Sequence, residues 1–124
     1  MTSRETLERY FEALRRHDWE ELRDCVAHDV VRTGPYADVV RGREAYATFL
    51  ADVVPRLQNY ELRIHDVARG LEGEAWVRLS ELLDVDGERR EHPEALRFGF
   101  AADGRISDVD IYLKRPARRD SGTP

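Results

Sequence analysis

The chain contains a single cysteine, Cys25, so no disulfide can close within it, and a reducing cytoplasm suits it best. Its 20 basic residues include only one lysine, Lys114, and 25 acidic residues outweigh them to leave a net charge of −5. Nucleic acid and anionic membranes both require a basic face, so neither is an expected partner. No apolar run approaches the roughly 18 residues of a membrane span, and none at the N-terminus has the form of a signal segment. Patterns of the type Gly-x-Gly-x-x-Gly, P-loop and Gly-x-Ser-x-Gly are missing, which leaves nucleotide binding and serine hydrolysis without support. His-x-His, His-Glu-x-x-His and Cys/His clusters are missing too, so neither a metal nor a cofactor is expected.

What remains is 124 residues, 41% hydrophobic and 36% charged, which suffices for one domain with a compact core and a heavily charged surface. The expected domain spans residues 1–114, and the Pro-, Arg- and Ser-containing stretch 115–124 reads as a disordered tail. Thr2 and Glu5 have capping-box spacing ahead of Leu7, Tyr10, Phe11 and Leu14, an amphipathic helical stripe. Asp18 with Glu21 repeats the start signal before Trp19, Leu22, Cys25 and Val26. Residues 30–42 read as a strand and a glycine hinge. A third helix then carries Tyr46, Phe49, Leu50, Val53 and Val54, and Pro55 ends or kinks it.

From Asn59 the period changes to two. Tyr60, Leu62 and Ile64 alternate with polar neighbours, and a second strand runs from Ala75 to Val85 into an Asp86-Gly87 turn. A third strand runs from about Glu88 to Ala101, with a bulge or edge expected at Pro93, and a fourth covers Ile106–Lys114. Helix-period sequence before residue 58 and strand-period sequence after it predict an α+β fold. Three N-terminal helices on a curved, mainly antiparallel sheet would form a cone with an apolar interior.

Alternation assigns the inner face. Leu79, Leu83, Leu96, Phe98, Val109 and Ile111 point inward and are expected to line a ligand pocket with Leu14 and Phe49. Glu81 sits among these aliphatic side chains, and His92 and Glu94 share their side unless Pro93 resets the parity. Each has an ordinary explanation. Glu81 is either a free carboxylate in the pocket or half of a buried ion pair with a residue such as Arg32. His92 and Glu94, beside a proline near a strand end, read first as solvent-exposed. His65 reads as surface, His17 as a helix C-terminal residue favoured by the dipole, and Cys25 as packing. Trp76, Leu82 and Tyr112 fall on the outer face, where large apolar groups predict a homodimer through that face.

Several short motifs resemble the nuclear transport factor 2-like superfamily, in its SnoaL-like and ketosteroid-isomerase-like branch. They are Arg9-Tyr10, Ala13-Leu14, His17-Asp18-Trp19, Gly34-Pro35, Gly42-Arg43-Glu44 and Ala102-Asp103-Gly104-Arg105-Ile106, in order across residues 4 to about 114. By this resemblance, Tyr10 matches the tyrosine that in ketosteroid isomerases donates a hydrogen bond to the developing enolate. The isomerase base position falls on Gly34, its second oxyanion-hole acid on Leu96, and the last-strand aspartate of the epoxide hydrolases near Ile111. SnoaL-type cyclases, which use an acid/base carboxylate with His and Gln partners, resemble the chain better, and His92 lies in a comparable strand.

The resulting expectation is a pocket protein for a small hydrophobic molecule. If it is catalytic, it performs cofactor-free isomerisation, cyclisation or dehydration. Glu81 is the expected acid/base, Tyr10 and His92 the expected groups stabilising oxyanion charge, and Arg32 and Tyr36 the residues orienting the ligand at the mouth. The alternative is a non-catalytic dimeric ligand-binding module.

Overall fold

The structure, a computed structural model, describes residues 1–114, and the expected tail at 115–124 lies outside them. Thr2 caps helix α1 (Ser3–Arg16), its hydroxyl accepting from the Glu5 amide, and the Asp18 carboxylate likewise caps α2 (Trp19–Asp24) at the Glu21 amide. His17 ends α1 in the left-handed region at φ 57° and stacks on Trp19 at 5.5 Å. The second helix is shorter than its pattern predicts. It has only six residues, Cys25 closes it, and Val26 already opens a strand. The stripe that suggested two turns instead spans a helix end and a strand start, and both faces are buried in the same core.

Strand β1 (Val26–Thr33) turns through residues 34–38 into the short β2 (Val39–Arg41). Gly42, at φ 95°, then starts α3 (Arg43–Val53), a backbone conformation that side-chain-bearing residues rarely adopt. Pro55 sits in a single 3₁₀ turn, Val54–Arg56, where α3 stops. Four long strands follow: β3 (Gln58–Arg69), β4 (Ala75–Val85), β5 (Glu88–Phe100) and β6 (Ile106–Leu113). Asp86 and Gly87 both take positive φ at the β4–β5 turn, as a tight two-residue hairpin requires.

The six strands form one sheet in the order β2-β1-β6-β5-β4-β3, antiparallel everywhere except between β1 and β6. Among the described residues the fold is therefore α+β, with a mostly antiparallel six-stranded sheet and three helices, two of them long. Tyr10 and Phe11 of α1 and Tyr46 of α3 pack on the sheet face bearing Val77, Leu79, Leu96, Phe98 and Val109. Cys25 is buried in this core, and burial pushes its thiol up to about 11, the behaviour of a packing residue rather than a nucleophile. Among the described residues no helix is long and apolar enough to cross a membrane.

Pro93 makes neither a bulge nor an edge. It pairs with Ser80 in the unbroken β4–β5 ladder, in the middle of the sheet. An antiparallel residue directs its N and its C=O to the same neighbour, and the Pro93 carbonyl accepts from Lys114, one residue beyond the end of β6. The missing donor thus falls where the neighbouring strand has run out.

Candidate functional site

Because Pro93 leaves the alternation intact, β4 and β5 present Glu81, His92 and Glu94 on the helix-covered face, with Glu81 and His92 directly opposite in register. The three line a cavity of about 320 Å³ with Arg32, Tyr10, Tyr46 and Tyr60, and the rest of the lining is apolar. Leu14, Arg32, Phe49, Leu79, Leu83, Leu96 and Ile111, all expected there, line it as well. His92 is half-buried and Glu94 buried, contrary to the first reading of both as solvent-exposed.

Three of the expected lining residues lie elsewhere. Phe98 and Val109 are fully buried beneath the cavity floor, because the rings of Tyr10 and Phe11 stand edge-on against Phe98 at 5.6 and 5.7 Å. Tyr36 is 67% exposed at the tip of the 34–38 turn, and its neighbour Pro35 lines the cavity instead. Strand parity gives the face of a side chain but not its depth, and the helix residues above decide which inward groups reach the void.

Glu81 and Arg32 do not pair with each other. Glu81 Oε2 accepts from the Tyr60 hydroxyl at 2.7 Å, while Arg32 Nη1 reaches Asp38 at 3.3 Å and its guanidinium lies over the Phe49 ring, 4.6 Å from the centroid. Tyr60, on the bulged start of β3, supplies a neutral donor, so Glu81 is neither a free carboxylate nor half of an ion pair with Arg32. The alternation of Tyr60 was visible in the sequence, but its hydroxyl was read as part of an apolar stripe.

The carboxyl pushed upward is Glu94, to about 9, first by burial and then by the adjacent Glu81 carboxyl, with the Arg32 charge opposing. Glu94 Oε2 is buried without a hydrogen-bond partner among the described residues. Burial and the neighbouring carboxyl both favour the protonated form of Glu94. Tyr10 and Tyr46 meet hydroxyl to hydroxyl at 2.5 Å nearby, both buried. Burial drives both phenols above their ordinary range, and Arg32 partly opposes this in each. Tyr46 escaped the sequence reading because its spacing fits the apolar face of α3 as well as any leucine would.

The polar groups of the cavity thus fall into two sets. One is a carboxyl pair with Tyr60 and His92, and the other is a tyrosine pair within electrostatic reach of Arg32. Such an arrangement can accept a proton at one group and donate from another inside a low-dielectric space. Among the described residues no three His, Cys, Asp or Glu side chains converge to hold a metal ion.

Residues 7–109 match the SnoaL-like domain family. The chain belongs to that family. A comparison with curated proteins returns no match. Solved structures share the fold at low identity. A LEH-like epoxide hydrolase from Mycobacterium tuberculosis is 21% identical, covering 90% of this chain and 82% of its own, with a TM-score of 0.76. A second M. tuberculosis protein, solved in complex with estradiol-17β-hemisuccinate, is 17% identical over 92% of this chain and 95% of its own, with a TM-score of 0.75. A Catenulispora acidiphila protein with a ketosteroid isomerase-like fold, solved in complex with trimethylamine, is 16% identical over 90% of this chain and 86% of its own, with a TM-score of 0.75. Proteins that share this fold thus include an epoxide hydrolase and two proteins solved with small molecules bound.

Proposed function

We propose that this SnoaL-like protein binds a small, largely apolar molecule in the cavity and catalyses a cofactor-free proton transfer on it. Isomerisation, aldol-type cyclisation and dehydration are the reaction types such a transfer serves. The observation that carries the reading is the Glu81–Glu94 pair, two adjoining carboxyl groups on the cavity wall, with Glu94 Oε2 buried and unpartnered among the described residues. Glu81, held by Tyr60, acts as base, and protonated Glu94 acts as acid or as donor to substrate oxygen. The Tyr10–Tyr46 pair supplies a second donor site for developing negative charge, and His92 flanks Glu81.

The test is α-proton exchange in D₂O across a panel of small enolisable ketones, followed by proton NMR. Wild type exchanges at least one panel member, and Glu81→Gln abolishes that exchange while keeping the fold. A non-catalytic binding module is the second reading, favoured by the engagement of the Tyr10 and Glu81 polar atoms by other side chains. Panel members that bind without exchange in wild type would establish it. We further propose a cytoplasmic homodimer, the lone buried Cys25 fitting a reducing compartment and the outer sheet face forming the contact.

A further inference from the structure

We infer that the cavity takes a carboxylate-bearing apolar molecule, with Arg32 binding the carboxylate at the mouth; this rests on the cavity being the ligand site. The Arg32 side chain is only 11% exposed, yet among the described residues its one hydrogen bond is the contact from Nη1 to Asp38, at 3.3 Å. A guanidinium carries five N–H donors, and removing it from water is unfavourable unless those donors are used. Glu81 and Glu94 line the same cavity, but neither forms an ion pair with Arg32. The donors left over therefore lack a protein acceptor at a point where ligand can reach them.

Two features indicate the chemistry of the missing acceptor. The Arg32 Cζ lies over the Phe49 ring, 4.6 Å from its centroid, a contact that takes up a face of the side chain without using any of its N–H donors. Asp38 shows that this fork accepts a carboxylate. Its own carboxylate is 51% exposed on the 34–38 turn, so a ligand carboxylate can join or displace it without breaking a buried contact. The apolar body of the ligand then lies against the apolar lining, which includes Phe49, Leu50 and Leu79.

The experiment is isothermal titration of the full chain with 2-naphthylacetate and its neutral counterpart 2-naphthylethanol. Wild type should bind the acid more tightly than the alcohol by about tenfold or more, the range of a charge-assisted bidentate contact. Arg32→Met should bring the acid down to the alcohol, whose own affinity stays the same. Arg32→Lys should fall between, because it keeps the charge and loses the fork. Asp38→Asn removes the competing carboxylate and should tighten the acid alone, a gain that a purely structural Arg32 would not produce. Asp38→Asn also provides a test if Arg32→Met does not fold. Equal wild-type affinities for acid and alcohol would overturn the carboxylate site while leaving the apolar cavity as the ligand site. Binding of neither probe would overturn both.

Discussion

Glu94 is the residue whose state most depends on the fold, since its carboxyl is held near 9 against an ordinary value of 4.5. A group raised in the folded state binds a proton that the unfolded chain releases. Its contribution is therefore complete below about pH 4.5 and is lost as pH rises through about 9. Stability should fall across that window with a slope of up to about 1.4 kcal/mol per pH unit attributable to one proton. Glu94→Gln should flatten that component, and urea unfolding of both proteins from pH 5 to 9 is the check. Arg32, Glu81, Tyr60 and His92 face the same cavity, so the comparison with Glu94→Gln, rather than the wild-type profile alone, isolates the group. The Tyr10–Tyr46 pair makes a separate prediction. Tyr10→Phe strands a buried Tyr46 hydroxyl and should cost about 1–3 kcal/mol, whereas Tyr10→Phe with Tyr46→Phe removes both polar atoms and should cost less than the two single changes summed. Additive costs in a double-mutant cycle would show that the hydroxyls do not interact.

At the scale of elements, the junction between the first helix and the last hairpin is the most constrained point. Gly104, in the β5–β6 turn, has φ 89°, and a Cβ there would come within 2.0 Å of the Met1 carbonyl oxygen. The Gly104 carbonyl also accepts from the fully buried Thr6 hydroxyl at 2.7 Å, which ties α1 to the turn that launches β6. Gly104→Ala combines an unfavourable backbone region with a backbone clash and should destabilise by about 2 kcal/mol or more. A melting temperature within 2 °C of wild type, on the order expected for a silent surface change, would contradict this. Most of this layer was legible beforehand. The caps at Thr2 and Asp18, the strand Ala75–Val85 and the Asp86-Gly87 turn all stand where local chemistry puts them. Two features were not legible, and both depend on neighbours rather than on local sequence. The length of α2 is set by β1 pairing with β6, and the tolerance of Pro93 by the point at which β6 ends. In the site, parity brought Glu81, His92 and Glu94 together on one face, but the partners that matter, Tyr60 for Glu81 and Asp38 for Arg32, come from register and loop geometry.

The whole molecule presents an outer sheet face that is neither fully polar nor covered. Trp76 and Tyr112 lie on it 36% and 54% exposed and stack with ring centroids 5.9 Å apart, a rigid aromatic platform of the kind that anchors interfaces. The remainder of the face differs from its sequence reading. Leu82 is only 7% exposed, with Glu61 and Glu91 placed beside it by strand register. The charged side chains of this face are already paired within the chain. Arg78 pairs with Asp66, Asp84 with Arg89, and Arg97 with both Asp108 and Asp110. A dimer through this face would therefore rest on the aromatic platform, with little help from ion pairs and correspondingly little sensitivity to salt. Sedimentation equilibrium at micromolar concentration should show a dimer in low and high salt alike. Trp76→Glu should shift it to monomer by placing a charge against its own symmetry mate, without altering the cavity on the opposite face. A monomer in both salts, or a dimer that Trp76→Glu leaves intact, would mean that the platform is not where two copies meet.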